Sequence, residues 1–212
     1  MMKKMMKALL LVPAMFMLPL AANAADYQLG QHYAEVGKQM PSNDVSEKVK
    51  VVELFSYSCP HCFRLDPQVT QWKETLPDNA EFELVPAIFR DSWLQLARVF
   101  YAAEQSGDLE MLHPKLFHAI HVEKRRLNSE EELLDFVEEQ GIDREDFLKR
   151  MNSFGVKTKV KKALVMSQTS GITGVPAMIV DAKYRTDAPQ AGSLEDMLDV
   201  VDYLVVKAAE EK

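Results

Sequence analysis

"KVKVVELFSYSCPHCFRLDPQVTQWKETLP", residues 48–77, carries both cysteines of a 212-residue chain, three positions apart around a proline and a histidine. Residues 48–58 are rich in Val and Phe and nearly unbroken in apolar character through their centre, which predicts a strand covered on both faces. The cysteines come directly after it. Pro60 then suits the first position of a helix, and Val69, Trp72 and Leu76 recur at helical spacing. Pro67 falls inside that helix and is expected to kink it, because it has no N–H for the carbonyl of Phe63.

Working outward, "AEFELVPAIF" (80–89) reads as a second strand, so the segment is strand, helix, strand with a parallel crossover. From Asp91 to about Ala163 the pattern becomes helical. Trp93, Leu96, Ala97 and Phe100 form one apolar stripe, and Leu109, Leu112, Leu116 and Ile120 another. Ser129 with Glu132 is a capping box opening a helix that Gly141 closes, Asp143 caps the next, and a further helix runs from about Phe154 to Ser170. Strand signals return at "AMIVDAKYRT" (177–186), a predicted hairpin, and a last helix follows Ser193. The expected architecture is α/β: two β-containing ends build one sheet, and a helical block lies between them.

The compartment is written at the N-terminus. Lys3, Lys4 and Lys7 precede an apolar run from Ala8 to Leu20, and Ala22-Asn23-Ala24 fits the small-x-small rule, so residues 1–24 read as a signal peptide cleaved after Ala24. The run is too short for a membrane anchor, which needs about 20 apolar residues, and it is broken by Pro13 and Pro19. Export leads to an oxidising space where a disulfide persists. The formal charge of −7 gives no footprint for nucleic acid, and the one basic cluster, Lys157 to Lys162, reads as a solvated helix face.

A bridge that closes so short a loop adds little architectural restraint, which favours chemistry over structure for the cysteines. A zinc site would need two more ligands, and there is no second C-x-x-C. His113, His118 and His121 are read as surface histidines that do not share one helix face. No metal and no cofactor are expected. Cys59 lies where a strand meets a helix N-terminus, facing unpaired N–H groups and the positive end of the dipole, and His61 adds a donor or a charge. Both favour the Cys59 thiolate, hence the reduced dithiol, and a pair with a stabilised reduced form tends to give its disulfide away. Cys59 is the expected exposed attacking and leaving sulfur, and Cys62, one turn into the helix, the shielded resolving one.

Glu53 interrupts the apolar strand. A carboxylate there would be desolvated, with its pKa raised, which suits proton exchange with Cys62; the competing reading is a side chain that points to solvent at the strand end. Pro176 in "TGVPAMIV" directly precedes a strand, as an ordinary trans turn proline or as a cis proline that exposes the Val175 backbone to an extended substrate.

Together "FSYSCPHC", Glu53 upstream, "GVPAMIV" downstream, the intervening helices and the signal peptide resemble the DsbA family of the thioredoxin superfamily, over the whole mature chain. The resemblance implies a thioredoxin-like fold with an inserted all-helical domain, that is a discontinuous thioredoxin-like domain of residues 25–90 and 164–212 and an insertion of 91–163. It implies a monomeric protein disulfide oxidoreductase in the Gram-negative periplasm, oxidising newly exported proteins and reoxidised by a DsbB-type quinone-linked membrane protein. By position, Cys59 and Cys62 match the redox pair, Pro60 and His61 the tuning dipeptide, Pro176 the cis-proline with Val175 before it, and Glu53 the buried acid. Asp66 falls where the family carries a glutamate; the lysine that accompanies that acid on the following strand is missing from "EFELVPAIF".

Two alternatives frame the tests. One is an isomerase or reductase of the same fold, although too few residues precede the first strand for the isomerases' dimerisation domain. The other is a peptide-binding, chaperone-like module with incidental cysteines, its groove lined by Met40, Met166 and Met178.

Overall fold

The structure, a computed structural model, describes residues 27–37 and 47–212. The signal segment 1–24, its cleavage point and Met40 lie outside the described residues.

A short strand β1 (Ala34–Glu35) comes first, then β2 (Val49–Phe55), helix α1 (Pro60–Trp72) and β3 (Ala80–Pro86). Five helices follow: α2 (Leu94–Ser106), α3 (Leu109–His121), α4 (Glu130–Glu139), α5 (Arg144–Met151) and α6 (Phe154–Thr169). The chain returns to the sheet through β4 (Ala177–Val180) and β5 (Tyr184–Asp187) and ends in α7 (Ala188–Ala191) and α8 (Leu194–Glu210). The sheet order is β1-β5-β4-β2-β3. β2 runs parallel to β3, as the crossover requires, and antiparallel to β4. Residues from both ends of the chain therefore share one sheet, and the predicted hairpin is β4-β5. The sequence pattern had not marked β1 or α7; two and four residues are too few for a period to register.

Alternation along β2 sends side chains to two cores. Val52 and Leu54 pack with the helical insertion, where Phe100, Leu112, Leu116 and Phe117 are buried. Val49 and Val51 pack on the other face with Leu65 and Val69 of α1 and Met197, Val201 and Leu204 of α8. Both faces of β2 are thus covered, which is why its sequence is apolar almost throughout. The Trp72 indole N–H donates to Asp202 at 2.8 Å and fixes α1 against α8.

The insertion is capped as its sequence implies. Ser129 and Glu132 form a reciprocal capping box on α4, and Asp143 accepts from the Asp146 N–H at the start of α5. α6 runs unbroken through residues 163 and 164, where the sequence reading divides insertion from sheet domain. Its buried Ser167 hydroxyl accepts from the Ile88 N–H just past β3, at 3.0 Å. At its end the Ser170 carbonyl accepts from the N–H of Gly37, where any Cβ would press on the Thr169 carbonyl.

Candidate active site

Cys59 is the N-cap of α1, with extended backbone, and Pro60 is the first helical residue, where its missing N–H costs nothing. Both cysteines are free thiols, Cys59 partly exposed and Cys62 buried. The Cys59 thiol donates to the carbonyl of Val175 at 3.3 Å. The Val175–Pro176 bond is cis, so of the two readings open for Pro176 the structure has the cis one. A groove beside this contact, about 430 Å³, is lined by His61, Gly174, Pro176, Pro189 and Leu194 among others.

The two sulfurs are electrostatically unlike. The Cys59 thiol is lowered to about 6. The largest cause is the hydrogen bond from the Cys62 thiol; burial opposes it, and the backbone N–H groups of Cys62 and His61 add to it, with the His61 charge last. Sequence reasoning named the helix N-terminus and His61, and passed over Cys62 itself. The His61 Nδ1 accepts from the Arg64 guanidinium at 2.7 Å. The Cys62 thiol is pushed far up, first by burial and then by its hydrogen bond to Cys59, with the charges of Cys59 and Glu53 adding.

Glu53 is 3% exposed in the middle of β2, in register with Leu84 of β3 and Met178 of β4. It does not point to solvent. Burial raises its carboxyl to about 8, and the charges of Asp66 and Cys59 push in the same direction. Near neutrality it is a largely protonated acid, and once ionised its charge raises the Cys62 thiol.

The histidines of α3 correct the sequence reading. His113 is buried, 8% exposed, and its two ring nitrogens meet the Tyr57 hydroxyl and the Asp66 carboxylate, each at 2.8 Å. His121 Nε2 is bonded to the Tyr57 carbonyl at 2.8 Å, and its ring stacks on Phe63 at 4.9 Å between centroids. Residues 113, 117 and 121 recur at a helical spacing of four, so these two histidines share the face toward α1. His118, one position off, faces Glu123 instead. The local signal was that four-residue spacing; the partners are 47 to 64 positions distant in sequence.

Residues 50–201 match the DSBA-like thioredoxin domain family. The chain is 39% identical over 188 residues to the thiol:disulfide interchange protein DsbA of Pseudomonas aeruginosa, covering 89% of each chain. It is 32% identical over 211 residues to the protein of the same name from Burkholderia cepacia, covering 100% of both. The crystal structure of Pseudomonas aeruginosa DsbA superposes with a TM-score of 0.81 at 39% identity, covering 88% of this chain and 98% of that one. Reduced DsbA1 from Neisseria meningitidis gives 0.76 at 26%, covering 88% and 97%.

Proposed function

The chain belongs to the DSBA-like thioredoxin domain family and is a DsbA-type thiol:disulfide oxidoreductase with a thioredoxin-like fold, and on that premise we propose that it donates the Cys59–Cys62 disulfide to newly exported proteins in the Gram-negative periplasm. The observation that carries the direction is the contrast between the two sulfurs: Cys59 is partly exposed at the helix N-cap with its thiol lowered to about 6, and Cys62 is buried with its thiol pushed up.

A client thiolate attacks Cys59 of the disulfide, forming a mixed disulfide, and the Cys59–Cys62 bond breaks. Cys62 leaves with the electron pair and takes a proton, for which the protonated Glu53 is the source. A second client thiolate then attacks the client sulfur and expels Cys59, whose stability as thiolate makes it a good leaving group. The client loses two electrons and two thiol protons; the protein ends with Cys59 as thiolate and Cys62 as thiol, and one proton returns to Glu53. Pro60 supplies the turn into the helix, and the backbone N–H groups of His61 and Cys62 favour this outcome. Val175 and Pro176 offer backbone beside the sulfur for an extended client segment. A DsbB-type quinone-linked membrane protein reoxidises the pair, and the protein works as a monomer.

The test is the equilibrium of the mature protein with glutathione, together with turnover on a reduced, unfolded client. A strongly oxidising couple that transfers its disulfide supports the proposal. A reducing couple moves the protein to the reductases of the same fold. Retention of client protection by Cys59→Ser would instead make it a binding module.

A further inference from the structure

Between β2 and the first cysteine lies Tyr57, its ring 1% exposed against Phe55, Phe117 and His113. Its hydroxyl meets His113 Nδ1, and His113 Nε2 meets Asp66 Oδ1. A carboxylate only accepts, so Nε2 bears the proton and Nδ1 is left to accept from Tyr57. The chain is directional: Tyr57 O–H to His113 to Asp66, with the imidazole contributed by the helical insertion.

Asp66 stands one turn beyond Cys62 on α1, and its negative charge is among the causes that keep the Glu53 proton in place. β3 contains no cationic residue, and the one in register with Glu53 is Leu84. The donor on Asp66 comes from α3 instead. Other titratable groups line the groove where His113 and Asp66 meet solvent, Lys73 and Glu74 following α1 and Glu110 on α3; the rings of Phe55, Phe100 and Phe117 pack on the imidazole.

We infer that His113 is a positioning residue of the redox reaction: it holds the Asp66 carboxylate and the Tyr57 hydroxyl in one hydrogen-bonded chain and thereby fixes the charge against which Glu53 exchanges its proton with Cys62. The inference rests on the disulfide-donor reading. A fixed Asp66 anion favours protonated Glu53, the form able to protonate Cys62 as it leaves.

The experiment compares the parent with His113→Phe, His113→Gln, Asp66→Asn and the double variants in the Asp66→Asn background. Each is assayed for single-turnover reduction by a small dithiol across pH, for its glutathione equilibrium and for thermal stability. His113→Phe is expected to move the alkaline midpoint by about half a pH unit or more and the equilibrium by about threefold, a change expected from rearranging one hydrogen-bonded charge. His113→Gln, which keeps a donor for Asp66, should lie between, and neither substitution should add to Asp66→Asn. A parental pH profile and equilibrium in His113→Phe, with only its stability reduced, overturns the inference; so does a shift of full size in the Asp66→Asn background. If His113→Phe fails to fold, the Gln and Asn variants decide alone. A parent that does not oxidise dithiols at all would refute the donor reading rather than the role of His113.

Discussion

The sulfur of Cys59 lies 3.3 Å from the carbonyl oxygen of Val175, a residue 116 positions away. β4 pairs with β2, which sets Ala177 beside Leu54 and brings the segment before β4 to the start of α1. The sheet register, rather than the loops, therefore delivers backbone acceptors to the reactive sulfur.

The Cys59 thiolate should appear with a midpoint of about 6, read from its ultraviolet absorbance. Cys62→Ala removes the thiol hydrogen bond that lowers Cys59 most and should raise that midpoint by about one unit or more; Cys62→Ser, which keeps a donor, should raise it less. Equal midpoints in the parent and the alanine variant would show that the helix end, not Cys62, governs the thiolate.

Redox state should change how stability depends on pH. The folded Cys59 value, about 6, is below the ordinary 9.0, so its stabilisation is fully present above 9.0 and is lost as pH falls through 6. The oxidised protein has no thiol to titrate. Denaturant unfolding should show the reduced form gaining on the oxidised form from pH 6 to 9, by roughly 1–3 kcal/mol after solvent screening of a partly exposed sulfur. Parallel pH curves for the two forms would contradict this.

Glu53 works in the opposite sense. Its folded value, about 8, is above the ordinary 4.5, so the stability it lends is complete below 4.5 and disappears as pH rises through 8. Glu53→Gln should be more stable than the parent at pH 8, by roughly 2–4 kcal/mol, yet slower to accept electrons from a dithiol because Cys62 lacks its proton source. Faster reduction in the variant would remove Glu53 from the proton step.

His121→Ala frees the Tyr57 carbonyl and leaves Phe63 without its stacked ring. The expected cost is about 1–3 kcal/mol in chemical denaturation. Client turnover should fall as well, since the loop that leads into Cys59 loses its hold on α3. Unchanged turnover would confine His121 to packing.

Much of this was legible from local pattern. The apolar run of β2, Pro60 at the helix start, the capping box at Ser129 and the hairpin after Pro176 each state their structure within a few residues. Glu53 was legible because a lone carboxylate in an apolar strand is a chemical contradiction that burial resolves by protonation. His113 and His121 were misread because a histidine's burial is decided by what packs on it, and Tyr57, Asp66 and Phe63 arrive from another element. At His61 the backbone N–H outweighs the ring as a cause of the lowered Cys59 thiol, and the ring's Nδ1 accepts from Arg64, one turn on.

β2 has neighbours on both sides, and Val51 and Leu54 within it are 0% exposed. Its amide protons can reach solvent only when the whole sheet opens, which ranks them among the slowest to exchange for deuterium. The strand that leads to the reactive sulfur is therefore among the last parts of the molecule to yield.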